Sequence, residues 1–262
     1  MDIKRTMLKS VAELSSIMSL TQATIPSYRI LMYHSVGGKV INDVKNLFSI
    51  TPDLFERHVA HLSTLKNSSI VELNSNFLKS DKDFLAITFD DGYKDNLYVA
   101  APILERHGMP FTVFVSTGYI KSSSKNFLNI DELKKLAEFP NAIIGSHSVS
   151  HPSLVNCSDH QLDIELIDSK NFLEDIIGKA VKTFAYPSGL VDQRVRDAVE
   201  KAGYDLATTS YMHTNYTNQD NLMLARTSIL GVDSIRTFKQ KIRGNWDWYR
   251  FIQDYRKLDV NE

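Results

Sequence analysis

Two stretches of this 262-residue chain carry residues whose types and spacing could do chemistry. The first is Ile87-Thr88-Phe89-Asp90-Asp91-Gly92-Tyr93, in which the apolar run 84–87 reads as a buried strand ending in two adjacent carboxylates. Gly92 permits a tight turn there. Neighbouring side chains at a strand end point in different directions, so one carboxylate can hold a metal while the other faces a reacting group. The plain alternative is that Asp90 or Asp91 caps the following helix. The second stretch is Gly145-Ser146-His147-Ser148-Val149-Ser150-His151-Pro152, where two histidines four apart follow another strand. They converge on one point if the intervening segment is helical or turned. Imidazole suits zinc and its neighbours, and one added carboxylate makes a three-ligand site with room for water. It is not the His-Glu-x-x-His of zinc proteases, because Ser148 stands where that glutamate would be. An isolated pair of this spacing reads as structural. Placed on the same rim as the Asp-Asp turn, it reads as a metal site.

The elements that must position these residues alternate. Strands are predicted at 28–34, 69–73, 84–89, 111–115, 141–145, 182–186, 205–209 and 225–230. Helices are predicted at 52–65, 94–107, 130–138, 159–177, 192–202, 234–243 and 246–257. Strand–helix alternation implies a parallel sheet with helices outside, hence an α/β fold. With seven or eight such units and no nucleotide fingerprint after the first strand, a closed barrel is favoured over a doubly wound sheet. Asp90, Asp91, His147, Pro187 and Arg226 then lie at or near the C-terminal strand ends, where barrel chemistry sits.

Composition narrows the partners. Hydrophobic residues make up 43% of the chain, enough for a full core, and 30 Lys+Arg against 31 Asp+Glu leave a net charge of -1. That balance argues for no nucleic acid as partner. The single cysteine, Cys157, excludes an internal disulfide and fits a reducing compartment. Residues 1–26 form an N-terminal extension in which Met7, Val11, Leu14 and Met18 follow helical spacing. It is expected to be amphipathic and to pack on the domain or make peripheral membrane contact. No run approaches the ~20 apolar residues of a membrane span. A cytoplasmic, membrane-associated location is expected, with export through an atypical signal peptide as the alternative. The C-terminal run Trp246-Asp247-Trp248-Tyr249-Arg250-Phe251 reads as a helix packed on the barrel rather than a sugar platform.

The residues also carry a resemblance. Thr88-Phe89-Asp90-Asp91-Gly92 with His147-Ser148-Val149-Ser150-His151 resembles the polysaccharide deacetylases, the NodB-like carbohydrate esterases. Leu31-Met32-Tyr33-His34-Ser35-Val36 and Phe184-Ala185-Tyr186-Pro187-Ser188-Gly189 are similar to the branch that includes poly-N-acetylglucosamine deacetylases. The likeness covers roughly residues 28–245. It implies a distorted TIM-like (β/α)7 barrel, taken here as a single catalytic domain over 27–262. It also implies one divalent metal ion, usually zinc, and an N-acetylated carbohydrate substrate. By position, Asp91, His147 and His151 would be metal ligands and Asp90 the catalytic base. The N–H of Ser188 would face the developing oxyanion. Tyr93, Tyr186, Pro187 and His213 are expected on the substrate side.

Two departures follow from the same comparison. Ala185 stands where the family often has an arginine that holds the base. Arg226 is the candidate replacement, with a surface arginine on an edge strand as the alternative. The late histidine that serves many members as general acid has no counterpart in 227–232. His34 and His213 are the imidazoles available, or the proton comes from water on the metal or from Asp90. A non-catalytic barrel that binds carbohydrate and retains its metal is the rival function, and an acyl amide other than a sugar's is a third reading. The oligomeric state is not legible.

Overall fold

The computed structural model describes residues 27–251 except 41–42, 67, 79–81 and 123, together with Val11 and Glu13. Seven parallel strands follow in chain order: β1 (Tyr28–Tyr33), β2 (Asp83–Phe89), β3 (Phe111–Val115), β4 (Ala142–Ser146), β5 (Thr183–Ala185), β6 (Leu206–Thr208) and β7 (Thr227–Ser228). In the sheet β7 lies beside β1, and the others run outward from β1 in sequence. The sheet curls until its ends meet at a narrow seam. There Thr208 bridges Leu224 and Thr209 N–H donates to the Leu224 carbonyl at 2.7 Å, while on the other side of β7 Leu31 and Met32 register with Thr227 and Ser228. This is the distorted (β/α)7 barrel.

The eighth expected strand is not a stave. Ser68–Ile70 pairs with the first residues of β2, while β3 pairs with the last ones, so both share one edge of the same strand. The expected helix 159–177 is also interrupted. It runs as Asp159–Asp163, a π turn at Ile164–Asp168, and Ser169–Ile177, stopped by Gly178 at φ 65°. A second π turn, Asn96–Ala100, precedes the helix Ala101–Arg106. Thr117–Lys121, where no element is predicted, is a short helix. Of the expected helix at 246–257, residues 246–248 are turn and 249–251 are helical. The remainder of that expected helix, and the proposed extension 1–26 apart from Val11 and Glu13, lie outside the described residues. Glu13 pairs with Arg236 at 2.9 Å. Among the described residues no helix is long and apolar enough to cross a membrane.

The period of two along each strand decides what faces the site. Leu85, Ile87 and Phe89 of β2, with Val113 and Val115 of β3, join the core between sheet and helices. Tyr28, Ile30, Ala86, Phe114, Ala185, Leu206 and Leu224 fill the barrel interior. Gly145 leaves space for one of them, since a Cβ there would lie 2.5 Å from the Phe114 ring. Continuing each inward series in steps of two residues leads to His34, Asp90, His147 and Arg226 at the C-terminal rim.

Candidate active site

The two carboxylates part because the chain reverses between them. Asp90 N–H still donates to the Tyr33 carbonyl at 3.0 Å, as a strand residue does. Asp91 and Gly92 then both take left-handed backbone, at φ 72° and 76°. Beyond β4 a similar device folds the second motif. Ser148 and His151 have φ 66° and 59°, and His151 N–H donates to Ser148 Oγ at 3.0 Å. This brings the two imidazoles together, with ring centroids 4.7 Å apart. Left-handed backbone at three non-glycine residues of one cluster is the kind of strain that gathers at functional sites.

Asp91 Oδ1 lies 3.6 Å from Nε2 of His147 and 3.6 Å from Nε2 of His151. A tetrahedral ion with ligands at ~2.0–2.2 Å has ligand edges of ~3.3–3.6 Å, so the three atoms fit one zinc-type ion. The group Asp91, His147 and His151 is the candidate metal set, its ligand atoms within 4.8 Å of one another. His147 Nδ1–H donates to the Ala185 carbonyl at 2.7 Å, which fixes the tautomer and leaves Nε2 as the free donor atom. Burial pushes the His147 imidazole down to about 3, and it lowers His151 as well. Both rings are therefore neutral near pH 7, as metal ligation requires. Burial, with the nearby Asp90 charge, pushes the Asp91 carboxyl up to about 6 against the pull of His34. A bound cation is the charge that this buried carboxylate lacks. The hydroxyl of Tyr93 also bonds to Asp91.

Asp90 is held differently. Both of its oxygens accept from Arg226, Oδ1 from one terminal nitrogen at 2.6 Å and Oδ2 from the other at 2.8 Å. Arg226 Nε donates to the Thr209 carbonyl at 2.8 Å, and the guanidinium packs 5.6 Å from the Phe114 ring centre. Arg226 is 1% exposed, so it is a barrel-interior residue and not a surface arginine. Burial would raise the Asp90 carboxyl, but the Arg226 charge and fork, with His147 and His34, hold it well below the usual carboxylate range. Asp90 Oδ2 lies 4.0 Å from His147 Nε2, beside the candidate metal position.

The other expected site residues divide. His34 sits on the rim, its ring 4.7 Å from that of Phe48 and its charge felt by both carboxylates. Its carbonyl accepts from Asn96 Nδ2 at 2.8 Å, while Asp95 accepts from Ser35 Oγ at 2.5 Å. Ser188 is exposed with φ 57°. It follows the buried Pro187, so the proline sets the turn rather than offering a surface to ligand. The expected substrate-side residues are differently placed. Tyr93 is buried against Phe127 and bonds Asp91, so it braces that carboxylate rather than lining the substrate side. Tyr186 has the outward parity of β5 and donates its hydroxyl to the Leu222 carbonyl at 2.9 Å inside the outer core. His213 bonds the Thr214 carbonyl and has Arg250, Asp247 and Arg29 as its charged neighbours. Sequence reasoning missed Glu165 and Tyr119. Glu165 accepts from residues between the two histidines, and the Tyr119 ring lies 6.2 Å from that of His151. A carboxylate on the otherwise apolar stripe Leu162, Leu166, Leu173 was the available signal for Glu165.

The pattern of the polysaccharide deacetylase family matches residues 78–207. YxkH of Bacillus subtilis, a relative named for that family, is 31% identical over 188 residues, covering 69% of this chain and 63% of that protein. The chain belongs to the polysaccharide deacetylase family. A poly-beta-1,6-N-acetyl-D-glucosamine N-deacetylase of Staphylococcus aureus (strain MRSA252) is 28% identical over 181 residues, 62% of this chain and 60% of that protein. The matches thus cover less than two thirds of these relatives. Among solved structures, the Streptococcus pyogenes deacetylase PplD in complex with acetate superposes with TM-score 0.74 at 25% identity, over 83% of this chain and 99% of that one. IcaB from Ammonifex degensii shares the fold, with TM-score 0.71 at 17% identity over 86% and 100% of the two chains. The stretch that matches the polysaccharide deacetylases includes Asp90, Asp91, His147, His151 and Ser188. His34 and Arg226 lie outside it, so their places in the site rest on the geometry above.

Proposed function

We propose that this chain hydrolyses acetyl groups from N-acetylated amino sugars of a glycan, with Asp90 as base and one divalent cation on Asp91, His147 and His151. The observation that carries the reading is the ionised Asp90, forked by Arg226, beside two neutral imidazoles and a second carboxylate, Asp91. A cation there would supply Lewis acidity toward the acetyl carbonyl and the attacking water. Asp90 takes a proton from that water while Arg226 keeps the carboxylate aimed and charged. The N–H of Ser188 offers a donor to the oxygen on which charge develops. As the C–N bond breaks, the amine needs a proton, and His34 on the same rim is placed to give it. The products are acetate and a free amino sugar. The named activity of the S. aureus relative supports a polymer of N-acetylglucosamine as substrate.

The test is acetate release from N-acetylglucosamine oligomers of β-1,6 and β-1,4 linkage, by protein stripped with chelator and then reloaded with zinc or cobalt. Release that needs the added ion supports the reading. Oligomer binding without release by the loaded protein would point instead to a barrel that only binds carbohydrate.

A further inference from the structure

The segment that carries both imidazoles is held from outside the barrel by one buried acid. Glu165 is 8% exposed, on a helix face otherwise made of Leu162, Leu166 and Leu173. A buried carboxylate is costly unless its oxygens are satisfied. Here Oε2 accepts from Val149 N–H at 2.8 Å and Ser150 N–H at 2.9 Å, and Oε1 accepts from Ser150 Oγ at 2.6 Å. All three donors come from the stretch between His147 and His151. The carbonyls of that stretch are taken from the other side. Thr117 N–H donates to Ser148 at 3.1 Å and Gly118 N–H to Val149 at 2.7 Å. A Cβ at Gly118 would come 2.7 Å from the Val149 oxygen, so the helix can approach this closely only with glycine there.

The π turn explains how the acid arrives. Its extra residue per turn rotates the helix between Asp163 and Ser169, so Glu165 and Ser169 both face the loop. Ser169 Oγ then shares a 2.8 Å hydrogen bond with Ser146 Oγ, which accepts from Ser148 N–H at 3.3 Å. Left-handed backbone at Ser148 and His151 is unfavourable for residues with a side chain and persists only where surrounding bonds enforce it.

We infer that Glu165 is a positioning residue for the metal centre: it locks the 148–150 loop so that His151 Nε2 stays opposite Asp91. This rests on the metal reading proposed above. Glu165 touches neither the ligand atoms nor the substrate side, so its effect passes through His147 and His151.

The experiment compares full-length Glu165→Gln, Glu165→Ala and Ser150→Ala with Asp168→Asn, an exposed acid on the same turn. Cobalt and zinc dissociation constants are measured by competition with a chromophoric chelator, with the visible cobalt spectrum and amide exchange of Val149 and Ser150. Loss of an outer partner of metal ligands typically weakens binding ~10–100-fold, and that loss is expected for Glu165→Gln. A changed cobalt spectrum and faster exchange at the two amides should accompany it, while Asp168→Asn behaves as wild type. Saturating metal should return most of the cobalt signal. Unchanged affinity and protected amides in Glu165→Gln would overturn the inference. If Glu165→Ala does not fold, Glu165→Gln and Ser150→Ala decide, the latter losing one of three donors and expected to show a smaller shift in the same direction. Wild-type protein that binds neither ion would overturn the metal reading. The amide exchange then reports on the loop lock separately.

Discussion

Replacing Arg226 by Met tests how the base is held. The two side chains share two short hydrogen bonds, at 2.6 and 2.8 Å, and are 1% and 4% exposed. Opposite charges ~4 Å apart at an effective dielectric of ~20 attract by about 4 kcal/mol. Removing one partner of such a pair, which leaves the other charge buried, costs about 3–5 kcal/mol. Urea unfolding of metal-free protein should therefore show Arg226→Met destabilised by that amount. Asp90→Asn/Arg226→Met, with neither charge, should be less destabilised than the single change to methionine, giving a clear coupling energy. The pH dependence gives a second handle. In the wild type the folded Asp90 pKa lies below its unfolded value of ~3.9, so its contribution is present above pH ~4 and is lost as pH falls further. Without Arg226, burial raises the folded pKa above the unfolded one. The stabilising contribution is then present below pH ~4 and is lost as pH rises through the new value, so the slope reverses sign. A loss below ~1 kcal/mol with the wild-type slope retained would refute the role given to Arg226.

Other outcomes are specific. Gly145→Ala forces a methyl against Phe114 and should destabilise the fold by about 1–3 kcal/mol in thermal or urea unfolding. Cation affinity should weaken as pH falls through about 6, where Asp91 gains a proton, and titration calorimetry in buffers of different ionisation enthalpy should detect proton release on binding. His34→Ala should keep its metal content while acetate release drops by ~10²-fold or more, a loss expected of a missing general acid.

Much of the site was legible because its chemistry sits in short motifs. Asp90-Asp91-Gly92 and His147-x-x-x-His151 announce a turn and a candidate ligand pair by residue type alone. Alternating strands and helices placed them on one rim. What eluded the sequence depended on parity, insertion or distance. Tyr186 faces outward because Ala185 faces in, a one-residue difference that motif reading ignores. The π turns escape a 3.6-residue periodicity, since one extra residue leaves the apolar stripe nearly intact while re-aiming Asn96 and Glu165. Arg226 could be nominated by residue type, but its partner lies 136 residues away on the far side of β1, a pairing only the fold reveals.

The division of labour between the adjacent aspartates is tested most directly in Asp90→Asn. Metal per chain is measured by mass spectrometry, alongside acetate release from N-acetylglucosamine oligomers. The variant should retain one ion per chain, because Asp91, His147 and His151 are untouched, while acetate release falls by ~10²-fold or more. Loss of the ion with Asp90→Asn, or acetate release at the wild-type rate, would contradict the assignment of Asp90 as base and Asp91 as ligand.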